Sequence, residues 1–269
     1  MQDLTTQTDG RQDLRIAVVQ SALVWQDWAA NKAQFTARIE SLAGQADVIV
    51  LPEMFTTGFS MDTAASAQSM DGDAVNWMRA MAESSGAAIC GSMVMEEPGV
   101  GFTNRFLWMP PAGAYSYYDK RHLFRMGAEH QHYQSGDRRV VIDYRGWRIL
   151  PLVCYDLRFP VWSRNRQDYD LMVLVANWPA KRSMHWKVLS QARAIENQAY
   201  VAVCNRVGED GNGWSFSGDS RIISAEGEIL AELEPNADGV LLHTLSNDKL
   251  KQYREGFPAW QDADSFTLS

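Results

Sequence analysis

Short apolar runs rich in β-branched residues recur along this chain, at positions 15–20, 46–51, 87–95, 171–176 and 200–203. Runs of this length bounded by turn residues read as strands buried on both faces, and such strands need helices to cover them. Helical spacing occurs where that requires it. Residues 31–44 put Phe35, Ile39 and Leu42 at helical intervals, and 73–85 runs from a candidate N-cap at Asp71 or Asp73 to a stop at Gly86. Residues 183–198 form the longest predicted helix, with Trp186, Leu189, Ala192 and Ile195 on one side, and 246–256 form the last. Further strands are predicted at 106–109, 115–119, 220–223, 228–230 and 240–245. A hairpin joins 140–144 to 147–154 through Arg145-Gly146. A βα pattern appears in each half, with no linker-like segment and no short-period repeat. One domain over residues 15–269, preceded by a polar extension at 1–14, fits better than two domains.

Composition narrows the function classes. The net charge of −8 offers no footprint for nucleic acid. No apolar run approaches a membrane span, and the first 15 residues, polar and mixed in charge, lack the apolar region of a signal peptide. Three cysteines, Cys90, Cys154 and Cys204, make a poor disulfide framework, so a reducing, cytoplasmic compartment is expected.

Cys90 and Cys204 lie inside apolar runs and read as core residues. Cys154 differs. It ends the run Ile149-Leu-Pro-Leu-Val153 and precedes Tyr155-Asp-Leu-Arg-Phe-Pro160. A nucleophile at a strand end stands on a rigid scaffold, and the N–H groups just after it can face a developing anion. Local context leaves core cysteine and nucleophile both open. A thiol of ordinary pKa also needs a base or a cation, and none of the five histidines has the setting of a cysteine-protease base.

Three strand-end motifs offer another set of partners: Leu51-Pro-Glu-Met-Phe55, Tyr118-Asp-Lys-Arg-His-Leu-Phe124 and Val153-Cys-Tyr-Asp-Leu-Arg-Phe-Pro160. Alone, Glu53 reads as a surface carboxylate and Lys120 as a solvated lysine. Together, in this order and separated by 67 and then 34 positions, the three motifs resemble the nitrilase (carbon–nitrogen hydrolase) superfamily over nearly the whole chain. The resemblance implies a four-layer αββα sandwich with Glu53, Lys120 and Cys154 at one end of paired sheets. It implies Glu53 as general base, and Lys120 with the Tyr155 N–H as stabilisers of the oxyanion. Glu129, followed by Tyr133 and Gly136, matches a second glutamate of the family and is assigned to orienting Lys120 or water; Ser135 replaces the usual proline. The family uses no metal or cofactor. Against that stands a metal reading in which strand alternation puts His130 and His132 on one face beside Glu129. The resemblance further implies a homodimer, and the aromatic tail of Phe257, Trp260 and Phe266 is expected to pack on the body or across that interface.

Basic residues cluster in these motifs: Lys120, Arg121, His122 and Arg125; then Arg158, Arg164 and Arg166; then Lys181 and Arg182. Such a cluster suits an anionic amide, since a guanidinium grips a carboxylate bidentately. At least half of these arginines are expected to pair with structural acids such as Asp119 or Asp156 instead. Asn177-Trp178-Pro179, the stretch 185–197 and the segment 127–133 resemble the omega-amidase branch, which hydrolyses short 2-oxo dicarboxylic monoamides. Arg158 is the first choice for a carboxylate clamp and Arg182 the second, with Trp178 walling the pocket. Rival readings are another small-amide hydrolase acting on deaminated glutathione or an N-carbamoyl compound, a binding module without chemistry, and a thiol redox sensor.

Overall fold

The computed structural model describes residues 12–268. Most of the extension expected at 1–14 therefore lies outside the described residues, but its last three do not behave as a loose tail. Leu14 is fully buried and opens the first strand, while Gln12 and Asp13 accept hydrogen bonds from Trp147 and Asn247.

Two six-stranded sheets face each other. The first takes β1 (Leu14–Gln20), β2 (Val48–Val50), β3 (Ala88–Glu97), β4 (Gly101–Met109) and β5 (Ser116–Asp119) in sequence order, and a late strand pairs antiparallel with β1 at its outer edge. The second takes β6 (Ile142–Tyr144), β7 (Trp147–Val153), β8 (Leu171–Ala176) and β9 (Tyr200–Asn205). A small separate hairpin follows, β10 (Val207–Glu209) and β11 (Ser215–Ser217). Strands β12 (Arg221–Ile223) and β13 (Ile229–Glu232) complete the second sheet, and β14 (Gly239–Leu245) is the strand that returns to β1. The centre of each sheet is parallel, β1–β2–β3 in one and β7–β8–β9 in the other, so the carboxyl ends of these strands gather at a common edge of their sheet.

Burial explains the layering. Along β1, Leu14, Ile16 and Val18 enter the core between the sheets, while Ala17 and Val19 face the helix layer, so 16–19 is apolar on both faces. Helix α1 (Trp28–Ser41) and the antiparallel side of the first sheet hold Phe35 and Ile39 in that outer core. α1 starts a turn before the expected boundary because the Asp27 side chain accepts from the Ala30 N–H. A single turn, α2 (Thr63–Ser66), was not expected. Helix α3 (Asp73–Ser85) has the expected bounds and stops at Gly86 with φ +71, but its N-cap is Gly72; Asp71 accepts from Ser69 instead.

The turn α4 (Glu129–His132) replaces the strand on which a metal reading depended, and His130 and His132 are exposed. No group of three or more potential metal-ligating His, Cys, Asp or Glu occurs among the described residues. A short α5 (Pro160–Ser163) follows the Cys154 motif. On the far side of the second sheet lies α6 (Ser183–Asn197). Its buried stripe is Trp186, Ser190, Arg193, Ala194 and Asn197; Ile195 is half exposed, contrary to the apolar stripe expected. The polar members earn burial through partners, as when Arg193 donates to the Leu157 carbonyl. Last, α7 (Asn247–Gly256) is capped by Ser246. The whole is the four-layer αββα sandwich. In the tail, Phe266 lies under the Arg166 guanidinium, but Phe257 and Trp260 remain exposed.

Candidate active site

The strand ends converge at one edge of the sandwich. Glu53 follows β2, Lys120 follows β5, Cys154 follows β7 and Asn177 follows β8. The first two belong to one sheet and the last two to the other. Glu53, Lys120 and Glu129 are each fully buried, and Cys154 is 8% exposed.

The Lys120 Nζ lies 2.9 Å from Glu53 Oε1 and 2.9 and 3.0 Å from the two oxygens of Glu129. Burial alone would depress the ammonium, but the carboxylates of Glu129 and Glu53 outweigh it and hold its pKa above the ordinary lysine value. Lys120 is thus a fixed cation. Glu129 is anchored by the Phe124 N–H at 2.6 Å, and burial, with Glu53 nearby, pushes its pKa up despite Lys120. Glu53 receives the Asn177 N–H at 2.6 Å on Oε2, and the Asn177 side chain donates back to the Glu53 carbonyl at 2.6 Å. These bonds tie the two sheets together at the base.

Cys154 adopts φ +46, a left-handed conformation costing about 1–2 kcal/mol for a residue with a side chain. β7 ends there, and the turn 154–158 begins as a tight 3-10 helix whose opening N–H groups have no acceptor within the helix. Burial, then the charge of Glu53, pushes the thiol well above its usual pKa, with Lys120 opposing. The resting group is a neutral thiol, and its Sγ donates to the Asn177 carbonyl at 4.0 Å.

Asp156 fastens this turn to the Lys120 segment. Its buried carboxylate accepts from the N–H of Val153, the hydroxyl of Tyr118, and the N–H of His122, with the His122 ring at 2.7 Å. It was expected to neutralise an arginine; its partners instead flank Cys154 and Lys120. Gly136, seven residues after Glu129, donates to the Lys120 carbonyl at 2.9 Å, and a Cβ there would meet the Asp119 carbonyl oxygen at 2.1 Å. Only glycine permits that approach.

Above the thiol opens a cavity of about 420 Å³. Tyr155, Arg158, Trp178 and Arg182 all line it, as does Cys154. Trp178 is 3% exposed, hydrogen-bonds the Arg182 carbonyl, and carries the Arg158 guanidinium 4.7 Å above its ring. Tyr155 packs edge-on to Phe124. The expectation that half the clustered arginines pair with acids fails here. Arg158 meets His185 Nδ1 at 3.1 Å, and Arg182 meets the Met126 sulfur and the rings of Phe124 and Trp214. Asp119 pairs with Arg105. One buried nitrogen of Arg182, Nη1, has no hydrogen-bond partner among the described residues. Two guanidiniums therefore flank the thiol without a carboxylate ion pair among the described residues.

Sequence reasoning missed several contributors. Asn104 on β4 donates to both Glu53 and Glu129. Trp214 and Phe216, from the β10–β11 hairpin, wall the cavity opposite Phe59 and Met61. The glycine-flanked run Asp210-Gly-Asn-Gly-Trp214 signalled a turn, but nothing in it signalled the pocket. A larger cavity of about 690 Å³ lies elsewhere, between α6, α7 and the tail, and includes none of the residues around Cys154.

An αββα sandwich bringing cysteine, lysine and two glutamates to one edge of its paired sheets is the fold of the nitrilase superfamily. Within it, the chain belongs to the carbon–nitrogen hydrolase family, whose sequence profile matches residues 15–255. It is similar to omega-amidase YafV of Escherichia coli K12, with 56% identity over 255 residues, covering 95% of this chain and 98% of that protein. It is also similar to the 2-oxoglutaramate amidase of Bacillus subtilis, at 32% identity over 86% of this chain and 90% of that one. The crystal structure of XC1258 from Xanthomonas campestris, a CN-hydrolase superfamily protein with an arsenic adduct in the active site, superposes with a TM-score of 0.93 at 47% identity, covering 96% of this chain and all of that one.

Proposed function

We propose that the protein hydrolyses the terminal amide of short 2-oxo dicarboxylic monoamides such as 2-oxoglutaramate and 2-oxosuccinamate, giving the 2-oxo acid and ammonia. The observation that carries this reading is one cavity holding the Cys154 thiol, backed by Glu53 and Lys120, and two arginines without a carboxylate partner among the described residues. The similarity to an omega-amidase and a 2-oxoglutaramate amidase supports the same choice of substrate.

In this mechanism Cys154 Sγ attacks the amide carbon while its proton passes to Glu53. A thiol raised by burial holds little standing thiolate, so deprotonation accompanies attack. The carbonyl oxygen becomes an oxyanion facing the Lys120 ammonium and the Tyr155 N–H. Lys120 serves by charge, because a lysine raised above its ordinary pKa is no base near neutrality. Glu53 returns the proton to the amide nitrogen, the carbon–nitrogen bond breaks and ammonia leaves. Glu53 then takes a proton from water as it attacks the thioester, and the departing sulfur recovers that proton. Glu129 holds Lys120 in place. Arg158 and Arg182 bind the substrate carboxylate, and Trp178 and Tyr155 wall its carbon chain.

The protein is further proposed to act in the cytoplasm, on the grounds of three free cysteines, and as a homodimer. Met184, Val188 and Ile195 form an exposed apolar stripe on α6, and Ile195 shares a groove with exposed Phe257 and Trp260. Light scattering coupled to gel filtration reads the dimer directly. The activity test is ammonia release from 2-oxoglutaramate by wild type and Cys154→Ala, with glutamine and asparagine as controls. Turnover by wild type alone, weak on the controls, is expected. A folded wild type that leaves 2-oxoglutaramate intact overturns the substrate assignment.

A further inference from the structure

We propose that Asn104 is a positioning residue that holds the Glu53 and Glu129 carboxylates against Lys120, and thereby sets the lower pH limit of thiol chemistry at Cys154. The inference rests on the reading of Cys154 as nucleophile and Glu53 as its base.

The buried cluster holds two carboxylates and one ammonium, so a net negative charge stands in the protein interior. That arrangement favours protonating one carboxylate unless neutral donors compensate. Asn104, itself fully buried, supplies them. Its Nδ2 lies 2.8 Å from Glu53 Oε1 and 3.2 Å from Glu129 Oε1, the same two oxygens that Lys120 contacts. One amide carries two N–H groups, which matches two acceptors. Its backbone carbonyl also accepts the Lys120 N–H at 3.0 Å. A single residue thus touches all three charged members of the cluster.

The amide orientation follows from charge. Turned over, Oδ1 would face two carboxylates. As placed, Oδ1 is buried with no hydrogen-bond partner among the described residues, a cost accepted to aim the NH₂ at the acids. The other titratable groups facing the cluster are Cys154 and Tyr133, with Asp62 beyond Tyr133. Burial raises Cys154 and Tyr133 above their ordinary values, and the carboxylates raise Lys120. Glu129, which burial already pushes up, therefore governs the acid side. A hydrogen bond to the ionised form lowers a carboxylate pKa, so removing the donor raises it, and a protonated Glu129 no longer balances Lys120 beside Glu53.

The test measures Cys154 alkylation by iodoacetamide, resolved by mass spectrometry, against pH for wild type, Asn104→Leu and Asn104→Asp. No amide substrate is needed, so failure of the 2-oxoglutaramate assay in wild type retires the substrate assignment and leaves this measurement standing. The leucine variant should move the acid inflection up by about one pH unit, so that labelling well below the wild-type inflection falls about ten-fold and labelling above both inflections is unchanged. The aspartate variant, of nearly the same shape but with a third carboxylate, should move it further, and it serves alone if the leucine variant does not fold. An unchanged inflection in either folded variant, with any loss uniform across pH, overturns the proposal, as does a wild-type Cys154 that iodoacetamide does not label.

Discussion

Replacing Lys120 by methionine keeps the length of the side chain and deletes the one cation among the described residues that touches both Glu53 and Glu129. Both Oε1 atoms lie 2.9 Å from Nζ, so they stand no more than about twice that distance apart. At an effective dielectric constant near 20, two unit charges at that separation repel by about 3 kcal/mol, worth roughly two pH units on the second carboxylate. Burial adds to this repulsion, so in the variant one carboxylate is pushed well above the ordinary glutamate value. The sign follows: a carboxylate raised on folding gives stability that is present below its unfolded pKa and lost as pH rises through the folded one. Lys120→Met should therefore fall progressively below wild type between about pH 5 and pH 8, by roughly 3 kcal/mol more at the upper end. For a chain of this size that is about 6–12 °C in unfolding temperature. Differential scanning calorimetry of both proteins at the two pH values measures it. A gap between them that does not widen with pH would refute the reasoning, because it would mean that the two carboxylates do not share one electrostatic site.

Arg158→Ala and Arg182→Ala should each raise KM for 2-oxoglutaramate about ten-fold or more while changing kcat less, and an unchanged KM removes that residue from the carboxylate clamp. Gly136→Ala puts a methyl group against the Asp119 carbonyl and should lower stability by about 1–3 kcal/mol and turnover with it, since the peptide bonded to Lys120 must move. Asp156→Asn should cost about 2–4 kcal/mol in denaturant unfolding, because an amide nitrogen then faces a donor from Val153, Tyr118 or His122; a loss near zero would mean the turn holds its shape unaided.

Much of this architecture was legible because its strands are apolar on both faces. That leaves little ambiguity over positions 46–51 or 171–176, and Arg145-Gly146, both with positive φ, marks its hairpin unaided. The strand ends carrying Glu53, Lys120 and Cys154 were legible as motifs, and the structure brings those residues together. Other parts were hidden for physical reasons. Asn104 reads as one polar residue in a strand, since the two acids that explain it lie far away in sequence. Glu129 to His132 alternates like a strand, yet Ala128 at φ +59 redirects the chain into a helical turn. The outward stripe on α6 misled because Arg193 and Asn197 each find hydrogen-bond acceptors inside, leaving Ile195 at the surface. The β10–β11 strands are three residues each, too short for periodicity to register.

Glu53 and Cys154, the proposed base and nucleophile, come from opposite sheets, joined beside them by the Asn177 bonds to Glu53. The chemistry proposed at Cys154 is thus a caliper set across the gap between the two halves of the sandwich. A slip of one sheet against the other by an ångström would open the caliper while leaving every strand hydrogen-bonded. On warming, catalysis should fade before far-ultraviolet circular dichroism changes, so the enzyme reports the loosening of its own interior earlier than any measure of its secondary structure.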